Sequence, residues 1–302
     1  MEQNGKKKSG YVALIGKPNV GKSTLMNHLI KEKVAITANK PQTTRNRIQT
    51  VYTDERGQVI FLDTPGIHKA KTKLGDFMVE EALKTIPDAD VVLWLAEPLS
   101  SPGKNMEEVA AILSKSGKPT ILVMNKIDLF PEEAVRETIR KYSETIEFTD
   151  VVEVSALRNV RVPKLLDRIF ELLPEGPLYY DEDTLTNQPM RDIVAEMIRE
   201  QALRDLSDEI PHGIAVTIEK MKQRKDGLWD VEATVHTEKE SHKGIIIGKG
   251  GAMLKRIGTG ARLSAEKMLG NRMNLKIHVK FSKNWRDSES VLRSFGYAEE
   301  KK

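Results

Sequence analysis

The chain of 302 residues contains no cysteine. Disulfides, thiolate metal ligands and thiol nucleophiles are therefore excluded. Long hydrophobic runs are missing as well. The stretch 91–96, Val-Val-Leu-Trp-Leu-Ala, falls far short of the ~20 apolar residues that a membrane-spanning helix needs. Lys6, Lys7 and Lys8 are not followed by an apolar stretch of signal-peptide length, so no secretory leader is expected. These absences together point to a reducing, cytoplasmic setting. His212, His236, His242 and His278 lack metal-ligand spacing and read as ordinary strand or surface residues.

What is present suffices for two domains, since 39% apolar and 30% charged residues allow cores to be buried in a chain of this length. The net charge of +4 says little about partners, but its distribution is informative. Residues 1–176 are nearly balanced and residues 177–242 are acidic. Residues 243–286 then hold 11 lysines and arginines against one acid. A segment this basic suits a polyanion.

Up to about residue 175, short apolar runs alternate with amphipathic stretches. The pattern predicts strands over 11–15, 47–53, 59–62, 91–95, 120–124 and 151–154, with helices over 22–31, 75–86, 104–115, 131–146 and 161–172. Strands apolar throughout are those covered on both faces, so an open α/β sheet is expected. The Leu173-Pro174-Glu175-Gly176-Pro177 break marks a boundary, giving domains over 1–175 and 190–302 and a linker over 176–189. Beyond it the pattern is a helix from about 190, strands over 212–220 and 228–237, a glycine-rich bend over 244–251, a helix over 252–268 and a strand over 274–281. The α-β-β-α-α-β order predicts a smaller α+β domain.

Gly16-Lys17-Pro18-Asn19-Val20-Gly21-Lys22-Ser23 matches the phosphate-loop pattern G-x-x-x-x-G-K-[ST], placed between a strand and a helix that begins at Thr24. Backbone N–H groups can wrap phosphates there, Lys22 can reach the terminal phosphates, and the Ser23 hydroxyl can hold Mg²⁺. Asp63-Thr64-Pro65-Gly66 follows a strand, so that Asp63 can hold the same cation through water and the Gly66 N–H can sense a γ-phosphate. Asn125-Lys126-Ile127-Asp128 ends another strand. The Asp128 carboxylate can accept from guanine N1–H and its 2-amino group, donors that adenine lacks. Lys126 would lie along the base and Asn125 would brace the loop. Ser155-Ala156-Leu157 supplies a backbone N–H for the guanine oxygen.

In this order and at strand ends, the four elements resemble those of Ras-like P-loop GTPases over about 160 residues. The resemblance implies GTP binding and hydrolysis with Mg²⁺. In Lys40-Pro41-Gln42-Thr43-Thr44-Arg45, it makes Thr44 the threonine that meets Mg²⁺ in the GTP state, with Thr43 the alternative. Ile67 stands where relatives often place a water-orienting glutamine. Relatives with an apolar residue there and an asparagine at the position of Asn19 use K⁺, so Asn19 is the candidate K⁺ ligand. Lys22, Thr44, Asn19 and Gly66 are thus the expected catalytic group. Residues 16–24, 63–67, 125, 126, 128 and 155–157 form the nucleotide site.

In the second part, Ile245-Ile246-Ile247-Gly248-Lys249-Gly250-Gly251 resembles the G-x-x-G loop of KH domains, and the element order matches their bacterial type II form. The resemblance places single-stranded RNA against Gly248, Lys249, Gly250 and Gly251, with Ile246 and Ile247 lining the groove and Lys243, Lys255 and Arg256 supplying charge. Trp285, beside Lys283 and Arg286, is expected to pack against its own domain rather than to stack on a base. A GTPase followed by a KH domain, with the segments above, resembles the Era-type family of bacterial GTPases along essentially the full length. That resemblance implies binding near the 3′ end of 16S rRNA, a role in assembly of the 30S ribosomal subunit, a monomer, and peripheral contact with the inner face of the cell membrane.

Overall fold

The computed structural model describes residues 7–32, 35–36 and 43–297. They form two compact units, the first built mainly from residues up to Asn187 and the second mainly from Gln188 onward. In the first unit, β1 (Lys8–Gly16), β2 (Ile48–Asp54), β3 (Gly57–Asp63), β4 (Val91–Ala96), β5 (Thr120–Met124) and β6 (Asp150–Glu153) make one sheet in the order β2-β3-β1-β4-β5-β6. Only the β2–β3 hairpin is antiparallel. The helices are α1 (Lys22–Ile30), α2 (Lys73–Asp88), α3 (Lys104–Ser116), α4 (Glu132–Ser143) and α5 (Val162–Leu172).

Alternation along β1 builds two cores. Val12 and Leu14 join Leu25, Met26 and Leu29 of α1 and Leu165, Ile169 and Phe170 of α5. Ala13 and Ile15 face the other way, with Ala82 and Ile86 of α2, Val109 and Leu113 of α3, and Val135 of α4. Both faces of the sheet are therefore covered, which is why its strands read as unbroken apolar runs. Trp94, fully buried on β4, meets Tyr142 and Phe148 edge-on. Parallel pairing brings the C-terminal ends of β1, β3, β4 and β5 to one edge. The sheet's crossover direction reverses between β3 and β4 on either side of β1, the place where such sheets bind ligands.

The stretch expected as a linker is strapped onto the β2–β3 hairpin. Val51 N donates to Leu185 O at 2.9 Å and Thr186 Oγ1 to Gln49 O at 2.6 Å. Gln58, fully buried on β3, accepts from Tyr179 N and Tyr180 N and donates through Nε2 to Tyr180 O and Thr53 Oγ1. One amide thus satisfies three backbone groups of the strap. Each such bond contributes about 0.5–1.5 kcal/mol net, and more is lost if one partner is left dry and unpaired.

The second unit has α6 (Met190–Asp205), β7 (Ile214–Gln223), β8 (Trp229–Thr237), α7 (Glu240–Ile247), α8 (Ala252–Leu269), β9 (Met273–Phe281) and α9 (Glu289–Ser294). Strand order is β7-β8-β9, with β8 antiparallel to β7 and parallel to β9. Ile193, Met197 and Ile198 of α6, Ile257, Ala261 and Ala265 of α8 and Val231, Ala233 and Val235 of β8 share one core. Along β9 the alternate residues Asn274, Lys276, His278 and Lys280 are exposed. The α-β-β-α-α-β order is as expected, but residues 244–247 belong to α7 rather than to a bend, and α9 was not foreseen. Trp285 packs inside its own unit, fully buried, with Nε1 donating to Gly213 O at 2.9 Å. His236 is buried between Thr217 Oγ1 and Ser282 Oγ against the Phe295 ring, and burial lowers its pKa to about 4.

Candidate nucleotide site and G-x-x-G loop

Residues 16–23 turn from β1 into α1. A Cβ on Gly16 would stand 2.5 Å from Leu95 O, and one on Gly21 2.3 Å from Asn125 Nδ2. Only glycine leaves room for these approaches. Asn19 is exposed at the tip with φ 64°, a left-handed conformation that asparagine tolerates. Val20 is buried. Lys17 and Pro18 are half-buried, and Lys17 Nζ donates to Ser101 O. The first amides of α1, at Lys22, Ser23 and Thr24, have no partner within the helix and form an anion-binding end.

Beside that end, three oxygens converge. Ser23 Oγ donates to Asp63 Oδ2 at 2.6 Å, and Thr44 Oγ1 lies 3.0 Å from Ser23 Oγ and 3.3 Å from Asp63 Oδ2. These separations bracket the edge of about 2.9 Å in an oxygen octahedron around Mg²⁺, whose ligands stand at about 2.0–2.1 Å. Asp63 Oδ1 is buried with no hydrogen-bond partner, a second sign that the cluster suits a cation. Thr44 is the threonine of the pair seen in these contacts. Lys40, Pro41 and Gln42 of the same segment lie outside the described residues.

The charges here are expensive. Lys22 is 6% exposed and its ammonium donates to the Gly16 and Lys17 carbonyls, at 3.3 and 3.2 Å. Burial lowers its pKa to about 8, against the opposing pull of Asp63. Burial likewise raises the Asp63 carboxyl, with Lys22, Ser23 and Thr44 opposing. A phosphate beside Lys22 and a cation beside Asp63 would relieve both penalties.

Thr64 Oγ1 donates to Leu14 O at 2.7 Å and fixes the start of the 63–67 turn. Pro65 is buried. A Cβ on Gly66 would come within 2.6 Å of Pro18, so this backbone lies directly against the phosphate loop. Ile67 ends the segment. Its N–H is spent on Gly16 O at 3.0 Å and its side chain is buried with Ala13 and Ile15, because an apolar residue beside that core packs into it. His68 is tied through Nδ1 to Gly66 O.

Asn125 joins the base loops. Its Nδ2 donates to Val20 O at 2.8 Å and its Oδ1 accepts from Ala156 N at 2.9 Å. The Ala156 N–H is therefore committed, and exposed Leu157 follows it at the loop tip. Lys126, with φ 64°, pairs with Glu97 just beyond β4. Asp128 is held below the usual carboxylate range first by the Ser155 hydroxyl and then by Arg158, whose Nε lies 3.1 Å from Oδ2. Glu97 and Arg158 were missed. A charged residue directly after an apolar strand was a readable signal for Glu97, while Arg158 depends on how the 155–160 loop folds back.

In the second unit, α7 ends at Gly248 with φ 73°, and Gly250 and Gly251 also take positive φ. A Cβ on Gly248 would strike Met253 at 2.7 Å, whereas Cβ atoms on Gly250 and Gly251 would meet nothing within 4 Å. Lys249, Gly250 and Lys255 are exposed, Lys243 and Ile247 half-buried. One expectation is corrected. Ile246 is fully buried in the core shared by α6, α8 and the sheet, since its position on α7 faces inward, so it does not line a surface groove. Arg256 is exposed and paired with Asp205 at 2.8 Å.

The buried Lys22 makes a testable prediction. A lysine pKa near 8 in the fold against the ordinary 10.5 means that the unfolded chain binds the proton between those values while the folded chain does not. Stability of the ligand-free protein should therefore rise with pH across that window. Lys22→Met should raise its melting temperature at about pH 7, flatten that pH dependence and abolish GTP binding. Thermal unfolding with and without GTP checks this; an unchanged or lower ligand-free Tm contradicts it.

A family model described as 50S ribosome-binding GTPase matches residues 11–126, and one described as KH domain matches residues 209–286. GTPase Era of Thermoanaerobacter sp. (strain X514) is 50% identical over 296 residues, covering 98% of each chain. GTPase Era of Clostridium kluyveri is 49% identical over 290 residues, covering 96% of this chain and 99% of its own. Among solved structures, an Aquifex aeolicus Era variant bound to GDP.AlF4- superposes with TM-score 0.91 at 38% identity, covering 97% of this chain and 100% of that one. Era in complex with MgGDPNP and nucleotides 1506–1542 of 16S ribosomal RNA gives 0.92 at the same identity and coverage. With its phosphate loop, base loops and G-x-x-G loop in place along the whole length of these relatives, the chain belongs to the GTPase Era family.

Proposed function

We propose that the chain is a GTP-hydrolysing switch that binds 16S rRNA near its 3′ end and assists assembly of the small ribosomal subunit. The observation that carries the switch is the meeting of Thr44 and Asp63, from two different segments, with Ser23 beside Lys22. A γ-phosphate can hold both segments only if they reach the phosphate site together. Support for the RNA partner comes from the relative solved with a 16S rRNA fragment and from the open, lysine-bearing loop at 248–251. The GTPase part is assigned to 1–175 and the RNA-binding part to 190–302.

In this reading Ser23, Thr44 and Asp63 hold Mg²⁺, whose chemistry when bound is to neutralise charge on the phosphates. Lys22 places its ammonium on the terminal phosphates. Gly66 presents its N–H to the γ-phosphate. Asn125 fixes the base loops, Lys126 covers the base, and Asp128 reads its N1–H and 2-amino group. Ile67, turned into the core, leaves the attacking water without a side chain from that position. Exposed Asn19 is the proposed K⁺ ligand that compensates. Cytoplasmic residence and peripheral contact with the inner membrane rest on the family resemblance. Among the described residues no helix is long and apolar enough to cross a bilayer.

Two measurements test these assignments. GTP turnover should be faster in K⁺ than in Na⁺ buffer, and Asn19→Ala should erase the difference; equal turnover by the unaltered protein removes K⁺ from the mechanism. RNA contact is tested by Lys249→Asp with Gly250→Asp, an exposed lysine and a glycine on which a Cβ would meet nothing within 4 Å. Fluorescence anisotropy with a 16S 3′-end oligonucleotide should show binding weakened at least about ten-fold. The log–log salt slope should also become shallower by about 0.7 for the lost lysine–phosphate contact. Unchanged affinity and slope would remove this loop from the RNA interface.

A further inference from the structure

The base site contains one charged side chain with no assigned role. Arg158 lies in a loop closed by reciprocal bonds, Ser155 N to Val160 O at 3.1 Å and Val160 N to Ser155 O at 3.0 Å. Asn159 and Arg161 on either side of the closure take left-handed φ of 56° and 58°. The fold-back sends the Arg158 N–H to Ser155 Oγ at 3.2 Å and its Nε to Asp128 Oδ2 at 3.1 Å. Ser155 is fully buried, Asp128 is 11% exposed at its side chain, and the Arg158 side chain is 66% exposed. One buried hydroxyl thus anchors the backbone of the arginine whose side chain reaches the carboxylate.

A carboxylate offers about four acceptor positions. Arg158 lies against Oδ2, and the positions left are enough for guanine's N1–H and 2-amino group. A carboxylate held by that ion pair is also fixed in plane, whereas without it the group can rotate about its terminal bond. A base with a single donor tolerates that rotation. A base with two does not, because both bonds require the same plane. We propose that Arg158 is a positioning residue for guanine selection, holding the Asp128 carboxylate so that two of its acceptor positions face the base. This inference rests on Asp128 being the base reader.

The 2-amino group provides the test, because inosine nucleotides lack it and keep N1–H. Affinities of GDP, IDP and xanthosine diphosphate would be measured by competition against a fluorescent guanine nucleotide for the unaltered protein, Arg158→Ala, Arg158→Lys and Asp128→Asn. The Arg158 N–H bond to Ser155 survives both arginine substitutions, so the loop should keep its shape. Arg158→Ala should weaken GDP by about two- to five-fold, the range of an exposed ion pair, and leave IDP nearly unchanged. The GDP-to-IDP preference then narrows by the same factor, and Arg158→Lys restores part of it. Equal losses for GDP and IDP would mean a merely structural loop residue and overturn the proposal. Tighter GDP binding would mean that Arg158 competes with the base and overturn it as well. Asp128→Asn is the separate check on the reading beneath: its amide donor should favour the C2 carbonyl of xanthine. Retained GDP preference in that variant would displace Asp128 as the base reader, and Arg158 with it.

Discussion

The nucleotide site depends on one buried side-chain amide. Asn125 donates to Val20 O in the phosphate loop and accepts from Ala156 N in the last base loop, while its own backbone follows directly from β5. Three loops from three strand ends are thereby fixed relative to each other, and Gly21 is required because its missing Cβ gives Asn125 Nδ2 its place. An amide suits the position because it is neutral and carries donor and acceptor on separate atoms, so that it reaches two backbone groups at once. An aspartate would offer no donor to Val20 O, and an apolar residue would leave both backbone groups unpaired in a dry interior.

Around that tie the chain keeps buried charge that the ligand-free fold gains nothing from. Lys22 and Asp63 are shifted toward their neutral forms, and Asp63 Oδ1 has no partner. Such a site is unstable by design of its function, since relief comes with phosphate and cation, so the cost of folding it returns as binding energy. The β2–β3 hairpin lies between the two segments that respond: β2 begins shortly after Thr44 and β3 ends at Asp63. The same hairpin holds the strap through Gln49, Val51 and Gln58, and the strap leads by chain continuity into α6. Movement of the hairpin with nucleotide state would therefore be felt by the segment that precedes the RNA-binding part.

Much of this was legible in the sequence because it rests on local rules. Glycines at 16, 21, 66 and 248 are positions where a backbone approaches something closely, and strand ends present ligands wherever a parallel sheet forms. Thr44 could be preferred to Thr43 only by resemblance; its contacts with Ser23 and Asp63 support that preference. What failed was the facing of side chains that tertiary packing decides. Ile246 reads as groove until α7 is seen to turn it inward, and the pairing of Arg256 with Asp205, distant in sequence, could not be read at all. Prolines and acids made 176–189 read as a linker, while buried Gln58 on another strand holds its Tyr179 and Tyr180 backbone down. Arg158 was invisible for the same reason: its role is set by a loop closure between Ser155 and Val160.

The central claim is that the guanine nucleotide and the RNA speak to each other through one protein. Linkage makes that claim exacting, because a nucleotide that alters RNA affinity by some factor must find its own affinity altered by the same factor when RNA is bound. The direct measurement is the affinity of a non-hydrolysable GTP analogue and of GDP, each determined with and without a saturating 16S 3′-end oligonucleotide. The account predicts that RNA tightens the GTP analogue relative to GDP, by the same factor with which the analogue tightens RNA. Affinities that RNA leaves untouched for both nucleotides would contradict it, leaving a GTPase and an RNA-binding unit that merely share a chain.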